Sequence, residues 1–225
     1  MLRILDHRRH IETIYLLYNI TMLTIVIQAG GQSSRMGEDK ALKPFLGKPL
    51  IQRVIERLNP IADELIVTTN RPYEYGFLNT RLVSDLIPDR GALGGLYTAI
   101  TSATHPYVGI VACDMPFASK MFFERANKWM VEEEADVVIP KIKSEVSEKS
   151  EGYEPLHALY RKETCLPAIE NAIHKDLWKV IAWFGKVKVR DVSDDEMKII
   201  DPSSLCFWNV NTPDEFAKAE ELAKK

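Results

Sequence analysis

The sequence predicts an α/β fold: one doubly wound, mostly parallel sheet flanked by helices in the Rossmann-like manner. Three observations predict it. Short, near-continuous apolar runs, residues 23–27 above all, read as strands buried on both faces. Between them lie segments whose apolar residues recur at helical spacing, so strand and helix alternate along the chain. The 225 residues, 46% of them hydrophobic, suffice for one such domain with a full core and exclude global disorder.

Taken in order, residues 23–27 (LTIVI) form the first strand. Residues 49–58 form a helix with Pro49 at its start, where a missing N–H does no harm. Residues 65–69 (LIVTT) make a second buried strand and 82–84 a short third. A helix over 94–102 leads into a strand over 107–112 that ends at Asp114, then a helix over 121–133 and a strand over 136–139. Residues 141–152 (KIKSEVSEKSEG) are polar, charge-mixed and low in complexity, which predicts a solvated flexible loop placed to cover an acceptor. The amphipathic stretch 173–184, with Trp178 and Trp183, belongs mainly to the core. Residues 187–192 read as an edge strand, and 213–223 as a closing helix with Thr212 as its N-cap. There is no internal repeat.

A formal net charge of −3 supplies no field for gathering nucleic acid, so any site for a polyanion is local. Arg35, Lys40, Lys43 and Lys48 make such a local cluster. The three cysteines, Cys113, Cys165 and Cys206, have no metal-ligand spacing; they suit a reducing cytoplasm and read as small buried hydrophobes. Residues 1–21 imitate a signal peptide, with Arg8-Arg9 ahead of an apolar run, but Glu12, Asn19 and Thr21 interrupt it. The run is also too short and polar to span a bilayer. We read 1–21 as an N-terminal extension, either a misassigned start ahead of Met22 or a loosely docked helix, and 22–225 as a single domain.

The chemistry concentrates where the first strand ends. Residues 23–42 read LTIVIQAGGQSSRMGEDKAL: an apolar strand, then Gly30-Gly31, where the backbone turns tightly and exposes N–H groups, then Arg35 and Lys40. A strand ending in a glycine-rich, cationic loop is a phosphate cradle for a nucleotide. The spacing matches neither Gly-x-x-x-x-Gly-Lys-Ser/Thr nor Gly-x-Gly-x-x-Gly. Asp114 follows the strand 107–112, at a carboxyl strand end where open α/β sheets bind ligands and where Mg²⁺ finds a carboxylate; capping of the next turn is the bland alternative. Thr68 and Asn70 end the strand 65–69 and are placed to touch base or ribose, although Asn70-Arg71 alone equally makes a turn.

This loop resembles that of the molybdenum cofactor guanylyltransferase family, within the sugar-nucleotidyltransferase-like enzymes, whose pattern runs approximately L-A-G-G-x-S-x-R-M-G-x-D-K-A-L. The chain departs by carrying Gln28 where Leu is usual. The resemblance continues through Gly47-Lys48-Pro49-Leu50, Cys113-Asp114-Met115-Pro116, Glu154-Pro155-Leu156-His157-Ala158-Leu159-Tyr160 and Asn209-Val210-Asn211-Thr212-Pro213, in the expected order. It implies the Rossmann-like nucleotidyltransferase fold. It also implies that Gln28, Ala29, Gly30, Gly31, Lys40, Thr68, Asn70, Asp85, Gly95 and Asp114 surround the nucleotide. Arg35, Lys40 and Asp114 are then the catalytic groups, and Asp114 with Asn211 would hold Mg²⁺; for Asn211, helix capping is the equally cheap explanation. Gly91-Ala92-Leu93-Gly94-Gly95 resembles the family's base-reading Gly-Pro-Leu-x-Gly element, with Ala92 replacing Pro. His157 reads as a structural or acceptor-side group, since a phosphate nucleophile needs no deprotonation.

The activity so implied is transfer of GMP from GTP to the terminal phosphate of molybdenum-bearing molybdopterin, with Mg²⁺, in the cytoplasm. The partners expected are GTP and molybdopterin, with transient contacts to molybdoenzymes or cofactor-synthesis proteins, on a monomer or weak oligomer. Cytidylyl transfer, another small-molecule nucleotidyl transfer, and a non-catalytic nucleotide-binding module are the alternatives that the residues leave open.

Overall fold

The computed structural model describes residues 22–29, 39–88, 90–144 and 147–224. The extension 1–21 and the predicted loop residues Gly30, Gly31 and Arg35 lie outside the described residues.

The chain enters through β1 (Leu23–Gln28), all six of whose residues are buried. A 3-10 turn, Lys40–Leu42, leads into a small hairpin of β2 (Pro44–Phe45) and β3 (Lys48–Pro49). Then follow α1 (Leu50–Leu58), β4 (Glu64–Thr68), β5 (Arg81–Val83), α2 (Gly91–Ser102) and β6 (Tyr107–Ala112). The second half runs α3 (Lys120–Glu132), β7 (Val137–Ser144), β8 (Ser147–Tyr153), β9 (His157–Arg161) and α4 (Lys162–His174). It closes with β10 (Val189–Val192), α5 (Asp194–Ile200) and α6 (Pro213–Ala223).

The main sheet has the order β10-β7-β9-β6-β1-β4-β5, with β8 added to β7. The pairs β6–β1, β1–β4, β4–β5 and β10–β7 are parallel, and β9 runs antiparallel between β6 and β7. The predicted mostly parallel, doubly wound sheet is therefore the observed one, with one reversed strand. Side chains alternate across β1: Ile25 and Ile27 pack with Ile51 and Val54 of α1, Phe123 of α3 and Met197 of α5. Val26 faces the other way, with Leu93 and Leu96 of α2 and Ile169 of α4. A third, smaller core joins the hairpin to α6 through Phe45, Leu50 and Phe216, the two phenyl rings meeting edge to face at 5.4 Å. The two-residue hairpin turn takes positive φ at both Leu46 (50°) and Gly47 (81°), and the Leu46 N–H donates to Glu220 Oε1 on α6 at 2.7 Å. This contact ties the segment after Lys40 to the helix that Asn211 precedes.

Two sequence readings need correction, the loop over 141–152 and the start of the helix over 94–102. Residues 141–152 are not a plain loop: β7 continues to Ser144 and pairs with β8 as an antiparallel hairpin. The helix expected over 94–102 begins earlier, at Gly91, so that Gly94 and Gly95 sit inside its first turns. The stretch 173–184 takes in the end of the helix Lys162–His174 and then an irregular segment, and it packs on the core as expected, with Trp183 1% exposed and Trp178 against the same cluster.

Candidate active site

Lys40 opens the 3-10 turn that follows the loop. Asp39 caps that turn, its Oδ1 accepting from the Ala41 N–H at 3.1 Å. The other carboxylate oxygen of Asp39 accepts from the Tyr75 hydroxyl at 2.6 Å and from the Arg71 guanidinium. Tyr75 is fully buried, and burial together with the neighbouring Asp39 carboxylate pushes its pKa up, so the phenol stays a donor. The turn is thus anchored to the segment after β4, and the Lys40 side chain is aimed from it.

Its target is a pair of acceptors. Lys40 Nζ donates to Asn211 Oδ1 at 2.8 Å and lies 3.3 Å from Asp114 Oδ2. Asp114 comes directly after β6, whose ladder with β1 extends by one more bond, Cys113 N–H to Gln28 C=O at 3.0 Å. The Asp114 carbonyl in turn accepts from Val210 N–H at 3.0 Å. Thr212, not Asn211, caps α6, in a capping box with Glu215, and Glu215 Oε2 also accepts the Asn211 N–H at 2.7 Å. The backbone of Asn211 is therefore held while its side chain is left to face Lys40. Glu154 completes the surroundings: mostly burial, with a smaller push from the Asp114 charge, raises its carboxyl pKa.

On the other side of β1, the residues expected near the base gather at the carboxyl ends of β1, β4 and β5. Ala29 N–H donates to the Thr68 carbonyl at 2.8 Å, and Thr68 itself is 2% exposed. Asn70 and Asp85 bind each other reciprocally: Asn70 Nδ2 donates to Asp85 Oδ2 at 2.7 Å, and Asp85 N–H donates to Asn70 Oδ1 at 2.9 Å. Gly95 lies against the Gln28 amide, since a Cβ there would stand 3.3 Å from Gln28 Oε1. All the predicted site residues within the described set thus fall at one sheet edge, in two groups separated by the end of β1.

The MobA-like NTP transferase domain matches residues 25–189. The chain belongs to the MobA-like NTP transferase family. It is 36% identical over 203 residues to the molybdenum cofactor guanylyltransferase of Desulfosudis oleivorans, covering 90% of this chain and 96% of that protein. Its fold is similar to that of molybdopterin-guanine dinucleotide biosynthesis protein A from Archaeoglobus fulgidus, with a TM-score of 0.74 at 24% identity over 89% of this chain and 98% of that one. It is similar as well to 2-C-methyl-D-erythritol 4-phosphate cytidylyltransferase from Thermus thermophilus, at TM-score 0.64 and 15% identity, over 89% and 98%.

Several other groups in this MobA-like domain are excluded from the chemistry by their surroundings. His157 is fully buried between the rings of Phe122, Phe123 and Phe207, and burial depresses its pKa to about 3. It is neutral, and its Nε2 accepts the Ser119 N–H at 3.0 Å, a structural task. The three thiols are free, and burial above all pushes each of them up, Cys165 to about 12, so none is a thiolate. Among the described residues, no group of three or more His, Cys, Asp or Glu could hold a metal, and no helix is long and apolar enough to cross a membrane. A cavity of about 400 Å³ lined by Arg53, Arg57, Lys120 and Asp201 includes none of the site residues.

The sequence reading missed Asp39, Tyr75 and Arg71 as the support of Lys40, and Glu154 as a buried carboxyl that feels the Asp114 charge. For Asp39 the signal was its place beside Lys40 in the motif; for Tyr75, 36 residues away, there was none.

Proposed function

We propose that this protein transfers GMP from GTP to the terminal phosphate of molybdopterin, forming the guanine dinucleotide and releasing pyrophosphate. The observation that carries this reading is the convergence of Lys40, Asp114 and Asn211 at the carboxyl edge of the sheet. It is supported by family membership and by the relative of like length that bears this activity in its name.

In the reaction, an oxygen of the acceptor phosphate attacks the α-phosphorus of GTP. The new P–O bond forms as the bond to the α,β-bridging oxygen breaks, and pyrophosphate departs. Such a displacement asks the protein for positioning and charge neutralisation rather than a covalent nucleophile. Lys40, on its anchored turn, is the cation for the triphosphate, and by sequence Arg35 with the Gly30 and Gly31 N–H groups share that load. Asn70, Asp85 and Gln28 border the space for the base.

A divalent cation fits the donor set. Asp114 and Asn211 offer two oxygens that already converge on a cation, the Lys40 ammonium, which stands where such an ion would be held. The shortage of further carboxylates matches Mg²⁺, which takes few protein ligands and keeps water and phosphate oxygens. Mg²⁺ bound there would neutralise charge on the triphosphate and the leaving pyrophosphate. For GTP to be engaged, Lys40 must leave these two oxygens and turn to phosphate.

Binding of GTP, CTP, ATP and UTP with and without Mg²⁺, followed by pyrophosphate release in the presence of molybdopterin, tests the reading. Mg²⁺-dependent preference for GTP and acceptor-dependent pyrophosphate support it. Preference for CTP would make this a cytidylyltransferase, and binding without turnover a non-catalytic module.

A further inference from the structure

We propose that the side-chain amide of Gln28 selects the nucleobase, donating from Nε2 to a ring carbonyl oxygen such as the O6 of guanine; this rests on the guanylyl-transfer reading above. Three observations lead there. Gln28 is the last residue of β1 and belongs, by strand alternation, to the face of Val26, which packs on α2. It ends that apolar row with an amide, where the family pattern has leucine, a side chain that can read nothing. The amide is 9% exposed, and its Nε2 has no hydrogen-bond partner among the described residues. A sealed donor without an acceptor is costly, and a native fold keeps one when something arrives to satisfy it.

The position of the amide says what that is. It lies flat on the first turns of α2, where Gly95 leaves room: a Cβ there would come within 3.3 Å of Oε1 and 3.6 Å of Nε2. The Gln28 carbonyl is spent on Cys113 N–H, and β1 is flanked at this level by Thr68 and Ala112. Along the strand, β1 ends at the carboxyl edge of the sheet, the edge at which β4 and β5 lead to Asn70 and Asp85. An occupant entering there meets a donor from Gln28 and a carboxylate from Asp85. Guanine, with a carbonyl acceptor beside N–H donors on its base-pairing edge, complements that pattern; adenine, with an amino group in place of O6, sets donor against donor.

The test pairs two nucleotides with three proteins. GTP and 2-aminopurine riboside 5′-triphosphate, which lacks O6, are bound with Mg²⁺ to the wild type, Gln28→Leu and Gln28→Glu, with thermal melting of each ligand-free protein. We expect Gln28→Leu to melt at or above the wild type, because an orphaned buried donor is gone. Its preference for GTP over the O6-lacking analogue should shrink about tenfold, the size of one well-made hydrogen bond in such a cycle. Gln28→Glu should lower GTP affinity further than Gln28→Leu does, by placing a carboxylate against O6. Unchanged discrimination in a folded Gln28→Leu protein that still prefers GTP overturns this proposal and leaves guanylyl transfer standing. If the wild type fails to bind GTP at all, both fall. Should Gln28→Leu not fold, Gly95→Ala decides: it presses on the amide from α2 and must erode the same discrimination by severalfold.

Discussion

Lys40 and Asn211, 171 residues apart, are joined by a 2.8 Å hydrogen bond from ammonium to amide oxygen. The bond brings the end of the phosphate loop to the start of the last helix. It exists because each partner is held from behind, Lys40 by the Asp39 cap and Asn211 by Glu215. On the function proposed above, binding of triphosphate would draw the ammonium away from Asn211 and Asp114.

Replacing Lys40 by alanine should lower turnover more than a hundredfold, since a preorganised cation on a transferring phosphate is worth roughly 3 kcal/mol. Circular dichroism should be unchanged, because Lys40 lies outside the hydrophobic clusters that hold the sheet and helices together. Steady-state kinetics with GTP and molybdopterin would measure it, and near-wild-type turnover would remove Lys40 from the mechanism.

Tyr75→Phe tests the support behind that lysine. Loss of the 2.6 Å bond to Asp39 frees the capped turn without touching any substrate group. We expect turnover to fall about fivefold to tenfold, near 1 kcal/mol, and melting to drop by a few degrees. Equal losses in Tyr75→Phe and in a Tyr75→Phe, Lys40→Ala double variant relative to their parents would show that the tyrosine acts independently of Lys40.

Asp114→Asn should raise the Mg²⁺ concentration for half-maximal activity by at least about tenfold, because a carboxylate is the main charge this chain offers a hard cation. Chelation of divalent ions should abolish turnover in both proteins. An unshifted Mg²⁺ titration would place the ion elsewhere.

His157 predicts an acid-limb signature. Its pKa is depressed to about 3 in the fold, so below pH about 6.5 the unfolded chain takes up a proton that the folded one refuses. Stability is thus complete above that pH and falls as the pH drops toward 3. From this residue alone, urea melts at pH 7 and 4.5 should differ by roughly 2.5 kcal/mol. In His157→Gln, whose side-chain oxygen can still accept from Ser119, that difference should be smaller by a similar amount, whatever the variant's stability at pH 7. An equal slope in both proteins would assign the acid limb to other groups.

The parallel half of the fold was legible because its strands are buried on both faces and leave unbroken apolar runs, as in LTIVI and YVGIVA. The second half was harder to read. β7 runs on through Pro140 into Lys141-Ile142-Lys143-Ser144, which pairs only with β8, and a proline followed by a single apolar residue is too little to mark a strand. Pro167 inside α4 argues against the helix that forms there. The capping box of Ser193 and Glu196 at the start of α5 was available and went unread. In the site, Lys40 and Asp114 stood in recognisable motifs, whereas the Asp39–Tyr75 and Asn70–Asp85 contacts are products of strand order. No local pattern encodes a meeting between residues that the crossovers bring together.

The reversed strand β9 sets the schedule on which this protein is made. It lies between β6 and β7, so the two halves of the sheet stay separate until residues 157–161 have been synthesised. Throughout that interval the ribosome holds out a chain whose β6, apolar along nearly its whole length, offers one bare edge to any passing strand. The segment that joins the two halves is also the one that covers that edge, and a product cut short ahead of it would be a natural client for chaperones.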